Sequence, residues 1–198
     1  MNNDNVEKKD KPILKTSLVT PDAIYEMVYS SVTNKSSYFK MDRTGHIESF
    51  LEEVEIDGRK YVPLPPSYNL VDKGVILFPS LATPYESEEE ILKEIQNFIH
   101  KYLDITEVFE QIATYYVLFT WMFDRFNEVP YLRAIGDFGS GKSRFLQAIG
   151  ILCYKPIFTG GATTPSPIFR IINEIKGTLI IDEADFKFSD MTSEIVKI

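Results

Sequence analysis

The sequence predicts an α/β fold: the three-stranded N-terminal half of a parallel sheet, preceded by a small β-rich region and a pair of helices. Three observations predict it. Aromatic and partly alternating stretches run from about residue 21 to 84, and near residue 87 the hydrophobic period becomes helical. From Pro130 the pattern reads strand, loop, helix, strand, helix, strand, the rhythm of a parallel α/β sheet. The expected divisions are a flexible tail at 1–20, a small β-rich region at 21–84, a helical segment at 85–128, and the α/β half-domain at 129–198.

Composition sets the outer limits. A chain of 198 residues has room for one ordinary domain or two small ones, and 44% hydrophobic with 13% aromatic residues can bury a core. The net charge of −8 argues against a broad electrostatic footprint on nucleic acid, which rests on clustered Lys and Arg, while leaving room for a local basic strip. Cys153 is the single cysteine, so an internal disulfide and a cysteine metal cage are both excluded, which fits a reducing cytoplasm. Met1–Lys11 lacks the apolar core of a signal peptide. The longest apolar-rich run, Ile112–Phe123, is shorter than the roughly 20 residues that cross a bilayer. A buried helix is expected there, with a cytoplasmic location and no membrane partner.

The β-rich region is expected to hold a strand at Ala23–Ser30 and two short strands within Glu52–Leu64. The second pair turns on Asp57–Gly58, residues that tolerate the positive φ of a tight hairpin. Pro63, Pro65 and Pro66 stop it, and Val75–Phe78 is one more candidate strand. His46 has no partner at metal-ligand spacing and reads as a surface residue. Ser87 and Glu90 then form a capping box, with Ile91, Leu92, Ile95, Phe98, Ile99, Tyr102 and Leu103 on one helical face. Asp104 and Glu107 repeat the capping pattern for a second helix running to about Phe126. That helix is apolar on most sides, so it is expected to sit between layers. Its aromatics read as core rather than base-stacking groups, because no Lys or Arg is interleaved before Arg125.

The chemistry lies after Pro130. Tyr131–Ile135 is the expected first strand, feeding into Gly136-Asp-Phe-Gly-Ser-Gly-Lys-Ser143. Glycines at this spacing let the backbone wrap phosphate oxygens. Lys142 supplies a mobile positive charge for β- and γ-phosphates, and Ser143 offers a hydroxyl to Mg²⁺. The following helix aims its positive dipole end at the anion and presents Phe145, Leu146, Ile149, Leu152 and Cys153 on one face. Cys153 reads as a small core residue. Ser166 and Pro167 suit a helix start, as N-cap and first helical residue. Gly177–Ile181 is a continuous apolar strand ending in Asp182 and Glu183, placed to hold the metal and to orient the attacking water. The Thr159–Thr164 loop and Arg170 read more simply as surface elements than as ligand contacts.

Asp182-Glu-Ala-Asp185 spells the motif of DEAD-box helicases, yet the chain between Lys142 and Asp182 has room only for helix, strand and helix. This compact spacing resembles superfamily 3 helicases and AAA+-like ATPases. More closely, Tyr131-Leu-Arg, the P-loop, Pro165-Ser-Pro-Ile-Phe-Arg170 and Thr178–Asp185 together resemble the ATPase segment of phage- and plasmid-type primase-helicase proteins. The resemblance covers about residues 129–198. It implies a partial P-loop NTPase fold with ATP and Mg²⁺ as cofactors. By it, Gly136, Gly139, Ser140, Gly141, Lys142, Ser143 and Arg144 contact the nucleotide, Ser143 and Asp182 hold the metal, and Lys142 and Glu183 are catalytic.

That family continues past its acidic strand into a sensor strand and, usually, an arginine finger. The chain is therefore expected to be a truncated product or the first part of a longer or split protein, and to hydrolyse ATP poorly by itself. An intact, monomeric, fully active ATPase of this length would refute that expectation. The resemblance implies action on DNA, single-stranded or forked, in the replication of a mobile element, and a homo-oligomeric ring when intact. Two other functions stay open: an AAA+-like ATPase that remodels proteins or signals, and a nucleotide-binding remnant without activity.

Overall fold

The computed structural model describes residues 11–160 and 165–182. It is a mixed α/β structure with three sheets, mostly antiparallel. The chain divides into two compact units, Met1–Asp72 with Phe78–Ala82, and Lys73–Leu77 with Thr83–Ile198.

The first unit is built from β1 (Ile13–Leu14), β2 (Ser17–Val19), β3 (Ala23–Ser30), β4 (Lys35–Asp42), β5 (Ile47–Leu51), β6 (Val54–Ile56), β7 (Arg59–Val62) and the short helix α1 (Asn69–Asp72). Strands β2-β3-β4-β5 make an antiparallel sheet, and β1-β7-β6 make a second in which β1 runs parallel to β7. Met27 stands opposite Tyr38 across β3 and β4, and both are fully buried. The Tyr38 hydroxyl donates to Lys15 O at 2.8 Å, which satisfies a polar group that would be costly to bury alone. Burial pushes this phenol above the ordinary tyrosine range.

Ala23–Ser30 and the Asp57–Gly58 hairpin form as expected. Asp57 and Gly58 have φ of 52° and 73°, the paired positive values that match the twist of the flanking strands. The expected flexible tail, by contrast, holds β1, β2 and the buried Thr16. Strand β2 is ordered by its hairpin with the neighbouring β3, and β1 by the distant β7, which no local pattern announces.

In the second unit, α2 (Glu88–Tyr102) starts at Ser87, whose hydroxyl accepts from Glu90 N at 3.2 Å. Helix α3 (Glu107–Trp121) starts at Thr106, not Asp104, without a side-chain cap. A 3₁₀ turn at Phe123–Arg125 follows. Ile99 and Leu103 of α2 pack with Ala113 and Val117 of α3 and with Ala148, Ile149 and Cys153. Full burial of side chains such as Ile99 and Val117 is worth about 2 kcal/mol each. His100 Nδ1 meets the buried Glu110 carboxylate at 2.7 Å, tying the last turn of α2 to the first turn of α3. Helix α3 is not enclosed between layers. It buries the face carrying Glu110, Ala113, Thr114, Val117 and Thr120, and leaves Val108, Phe109, Ile112, Tyr115 and Trp121 exposed.

Helix α4 (Lys142–Gly150), β8 (Ile157–Gly160), α5 (Pro165–Ile175) and β9 (Leu179–Asp182) complete the unit. Helix α5 begins at Pro165, so Ser166 and Pro167 lie inside its first turn and not at its cap. Strands β8 and β9 pair in parallel, Ile157 with Leu179 through Gly160 with Asp182. The expected strand at Val75–Phe78 shrinks to one antiparallel bridge, Ile76 to Ile157, flanked by Leu77 N to Pro156 O and Phe158 N to Val75 O. Tyr131–Ile135 forms no strand. Its residues alternate between exposed Tyr131, Arg133 and Ile135 and half-buried Leu132 and Ala134, and Leu132 packs on the helical core. One face of a strand is thus realised, while the only ladder in this unit among the described residues is β8–β9 with its Ile76 bridge.

Candidate functional site

The loop from Gly136 to Gly141 is exposed along its whole length, and Phe138 at its tip is fully so. Gly139 and Gly141 take φ of 77° and 87°, left-handed values that strain a residue with a Cβ. Ser140 N donates to Asp137 O at 3.2 Å, closing a turn, and Phe145 N donates to Gly141 O at 2.9 Å as α4 begins. Gly141 is the N-cap and carries no side chain to satisfy the first helical amides. An α-helix leaves its first N–H groups without intrahelical acceptors, so this end presents donors and a positive dipole to whatever occupies the loop.

Lys142 is bent back over the loop. Its ammonium donates to Gly136 O at 2.8 Å and to Asp137 O at 2.6 Å. The charge predicted for phosphate oxygens therefore sits on the carbonyls of the loop's first two residues. Ser143, next in the chain, is exposed. Arg144 has a different engagement: its Nε donates to Tyr102 O, the last residue of α2, at 2.9 Å.

Asp182 is the last residue of β9 and stands opposite Gly160 of β8. Helix α4 packs on this pair at Gly150, where a Cβ would lie 2.7 Å from Ile180 Cδ1 and 3.1 Å from Phe158 Cε1. The short link from Gly150 to Ile157 returns the C-terminal end of α4 to the start of β8. Gly150 is the last residue of α4 and Lys142 its first, so the loop lies at the helix end away from this contact. Glu183, the expected catalytic base, and residues 161–164 of the Thr159–Thr164 loop lie outside the described residues. Arg170 is exposed on α5, and His46 is exposed in the first unit.

The donor set bears on Mg²⁺. Among the described residues no group of three or more His, Cys, Asp or Glu gathers to hold a metal. Mg²⁺ in nucleotide sites takes only one or two protein ligands and fills its octahedron with water and phosphate oxygens, so Ser143 and Asp182 suffice in kind. The residue that sequence reasoning missed is Tyr102. It contributes through a main-chain carbonyl, which carries no signal in residue identity.

No helix among the described residues is long and apolar enough to cross a membrane. No protein-family model, curated protein or solved structure matches the chain.

Proposed function

We propose that the second unit is the nucleotide-binding part of a helicase-like ATPase that takes Mg-ATP, with β8 and β9 belonging to the parallel sheet of a P-loop fold. The observation that carries this reading is the loop itself: left-handed Gly139 and Gly141, an uncapped helix start, and Lys142 held over the loop by two short hydrogen bonds. Amides at the start of α4 bind phosphate oxygens. Lys142 transfers its ammonium from the carbonyls of Gly136 and Asp137 to the β- and γ-phosphates, and Ser143 and Asp182 orient the metal. A Mg²⁺ ion held by Ser143 and Asp182 would offset the charge of the phosphate oxygens. Glu183, next to Asp182 in sequence, has the chemistry to orient a water. By resemblance the polymer acted on is DNA in the replication of a mobile element, and the working form is a homo-oligomeric ring.

Calorimetric titration with Mg-ATP tests the site. Lys142→Ala is expected to weaken binding about 100-fold, since it removes charge-assisted contacts to phosphate. Equal affinity in the two proteins would refute the assignment. Hydrolysis by the full-length protein, measured with and without single-stranded DNA, then tests the motor reading, which expects stimulation and fails if no nucleic acid stimulates. A protein-remodelling ATPase is the second reading. It is supported by the net charge of −8 and by the row Val19, Ile24, Met41 and Ile47 across the four-stranded sheet, the first three of them exposed. Stimulation by protein but not DNA would favour it.

A further inference from the structure

We propose that Arg144 is a positioning residue that moors the phosphate-loop helix to the C-terminus of α2, so that the α2–α3 pair is part of the nucleotide site. This rests on reading Gly136–Ser143 as a phosphate-binding loop.

Arg144 is the third residue of α4, and its Nε–H reaches Tyr102 O, far away in sequence, at 2.9 Å. Tyr102 is the last residue of α2, whose final carbonyls have no intrahelical N–H to accept. The C-terminal end of a helix also carries partial negative charge, which favours a cation there. The acceptor is held on several sides. Leu103 N caps back to Ile99 O at 2.9 Å, and the Tyr102 ring packs on Phe98 with centroids 4.6 Å apart. Lys101 Nζ lies 5.2 Å from the same ring. Two residues earlier, His100 is locked to the buried Glu110 of α3. Deeper in, Ile99 and Leu103 pack with Ala148 and Ile149 of α4 itself. The core contact fixes the far end of α4, Phe145 packs on the same core from the first turn, and Arg144 adds a hydrogen bond to α2 at the end that carries Gly141, Lys142 and Ser143. Without that bond, the residues ahead of Phe145 are held less firmly.

An arginine that binds phosphate directly and one that acts through Tyr102 O behave differently. A phosphate contact is partly replaced by lysine as a point charge, and it is felt more by ATP than by ADP if it reaches the γ-phosphate. The mooring bond uses the Nε–H, one atom nearer the backbone than a lysine Nζ, so lysine restores it poorly. The experiment uses the full chain, with Mg-ATP and Mg-ADP titrated into wild type, Arg144→Ala and Arg144→Lys, and amide hydrogen exchange followed without nucleotide. Both variants are expected to lose about tenfold in affinity for each nucleotide alike. Amides of residues 139–146 are expected to exchange faster in both before any nucleotide is added. Retained affinity in Arg144→Lys, a loss confined to Mg-ATP, or unchanged exchange overturns the proposal while leaving the loop assignment standing. If wild type binds neither nucleotide, the loop assignment itself falls and takes the proposal with it.

Discussion

Gly177 stands where the chain leaves α5 and enters β9, and a single methyl there is expected to unseat the parallel pair. A Cβ on Gly177 would lie 2.1 Å from Lys155 O and 2.9 Å from Lys155 Cβ. Contacts below 3.0 Å are essentially never made by real Cβ atoms, and the nearer atom is backbone, not the movable tip of a side chain. One strand of chain must therefore withdraw by about 1 Å from a region packed at close to crystal density. The withdrawal acts on the bonds that join the two segments, Thr178 N to Tyr154 O at 2.9 Å and Ile157 N to Thr178 O at 2.8 Å. Losing one such bond costs about 1 kcal/mol and the overpacking about 2 kcal/mol more, roughly 3 kcal/mol for Gly177→Ala. For a chain of this size that is a fall of about 6–12 °C in Tm. The single tryptophan is a convenient reporter. Trp121 Nε1 donates to Leu152 O at 2.9 Å, and its ring meets Tyr154 edge-on at 5.2 Å, beside the turn in question. Gly160→Ala is the control, since a Cβ there meets nothing within 4 Å. A Gly177→Ala protein whose tryptophan-monitored midpoint lies within about 1 °C of wild type would refute the reasoning.

Two further outcomes follow from strained and buried groups. Lys176 closes α5 in the left-handed region, φ 54°, with its N–H on Ile172 O at 2.7 Å, so Lys176→Gly is expected to stabilise the unit by about 0.5–1 kcal/mol; urea unfolding showing no gain would count against strain at that residue. Burial pushes the Cys153 thiol up to about 11, with the Thr120 hydroxyl pulling more weakly the other way, against an ordinary value of 9.0. As pH rises the unfolded chain therefore loses this proton first, and the stability present below pH 9.0 drains away toward pH 11. Cys153→Ala is expected to flatten that decline, leaving the share due to Tyr38 and Tyr116, whose phenols are also raised by burial; an unchanged slope in urea-measured stability would show that the thiol is not the group responsible.

Sequence legibility followed the range of the forces involved. Helix α2 was readable because its cap and its apolar face are both local, and so were β3, the Asp57–Gly58 turn and β9. Strand β4 was not, since Lys35–Asp42 mixes Ser and Lys with aromatics and owes its burial to its place between β3 and β5. Tyr131–Ile135 failed in the opposite sense. Its composition is that of a strand, but a ladder needs a partner, and composition cannot supply one. At the candidate site, the glycines and Lys142 were legible as residue types. The hold of Arg144 on Tyr102 was not, because main-chain carbonyls look alike in every sequence. Lys176 and Gly177 show two demands colliding: the left-handed helix end suits glycine, yet the glycine is placed one residue later, where Lys155 O leaves no room for a side chain.

The pairing of β1 with β7 also sets an order of assembly. Ile13 and Leu14 are synthesised well before their partners Tyr61 and Val62 in the same unit. The β6–β7 hairpin closes over a two-residue turn and can form as soon as it is made, whereas the parallel β1–β7 pair must close a long loop that brings little reward until the end. Strand β1 therefore waits for β7 while the sheet it completes is still being translated. Tyr38, whose hydroxyl ends on Lys15 O, is the latch that the waiting segment finally closes.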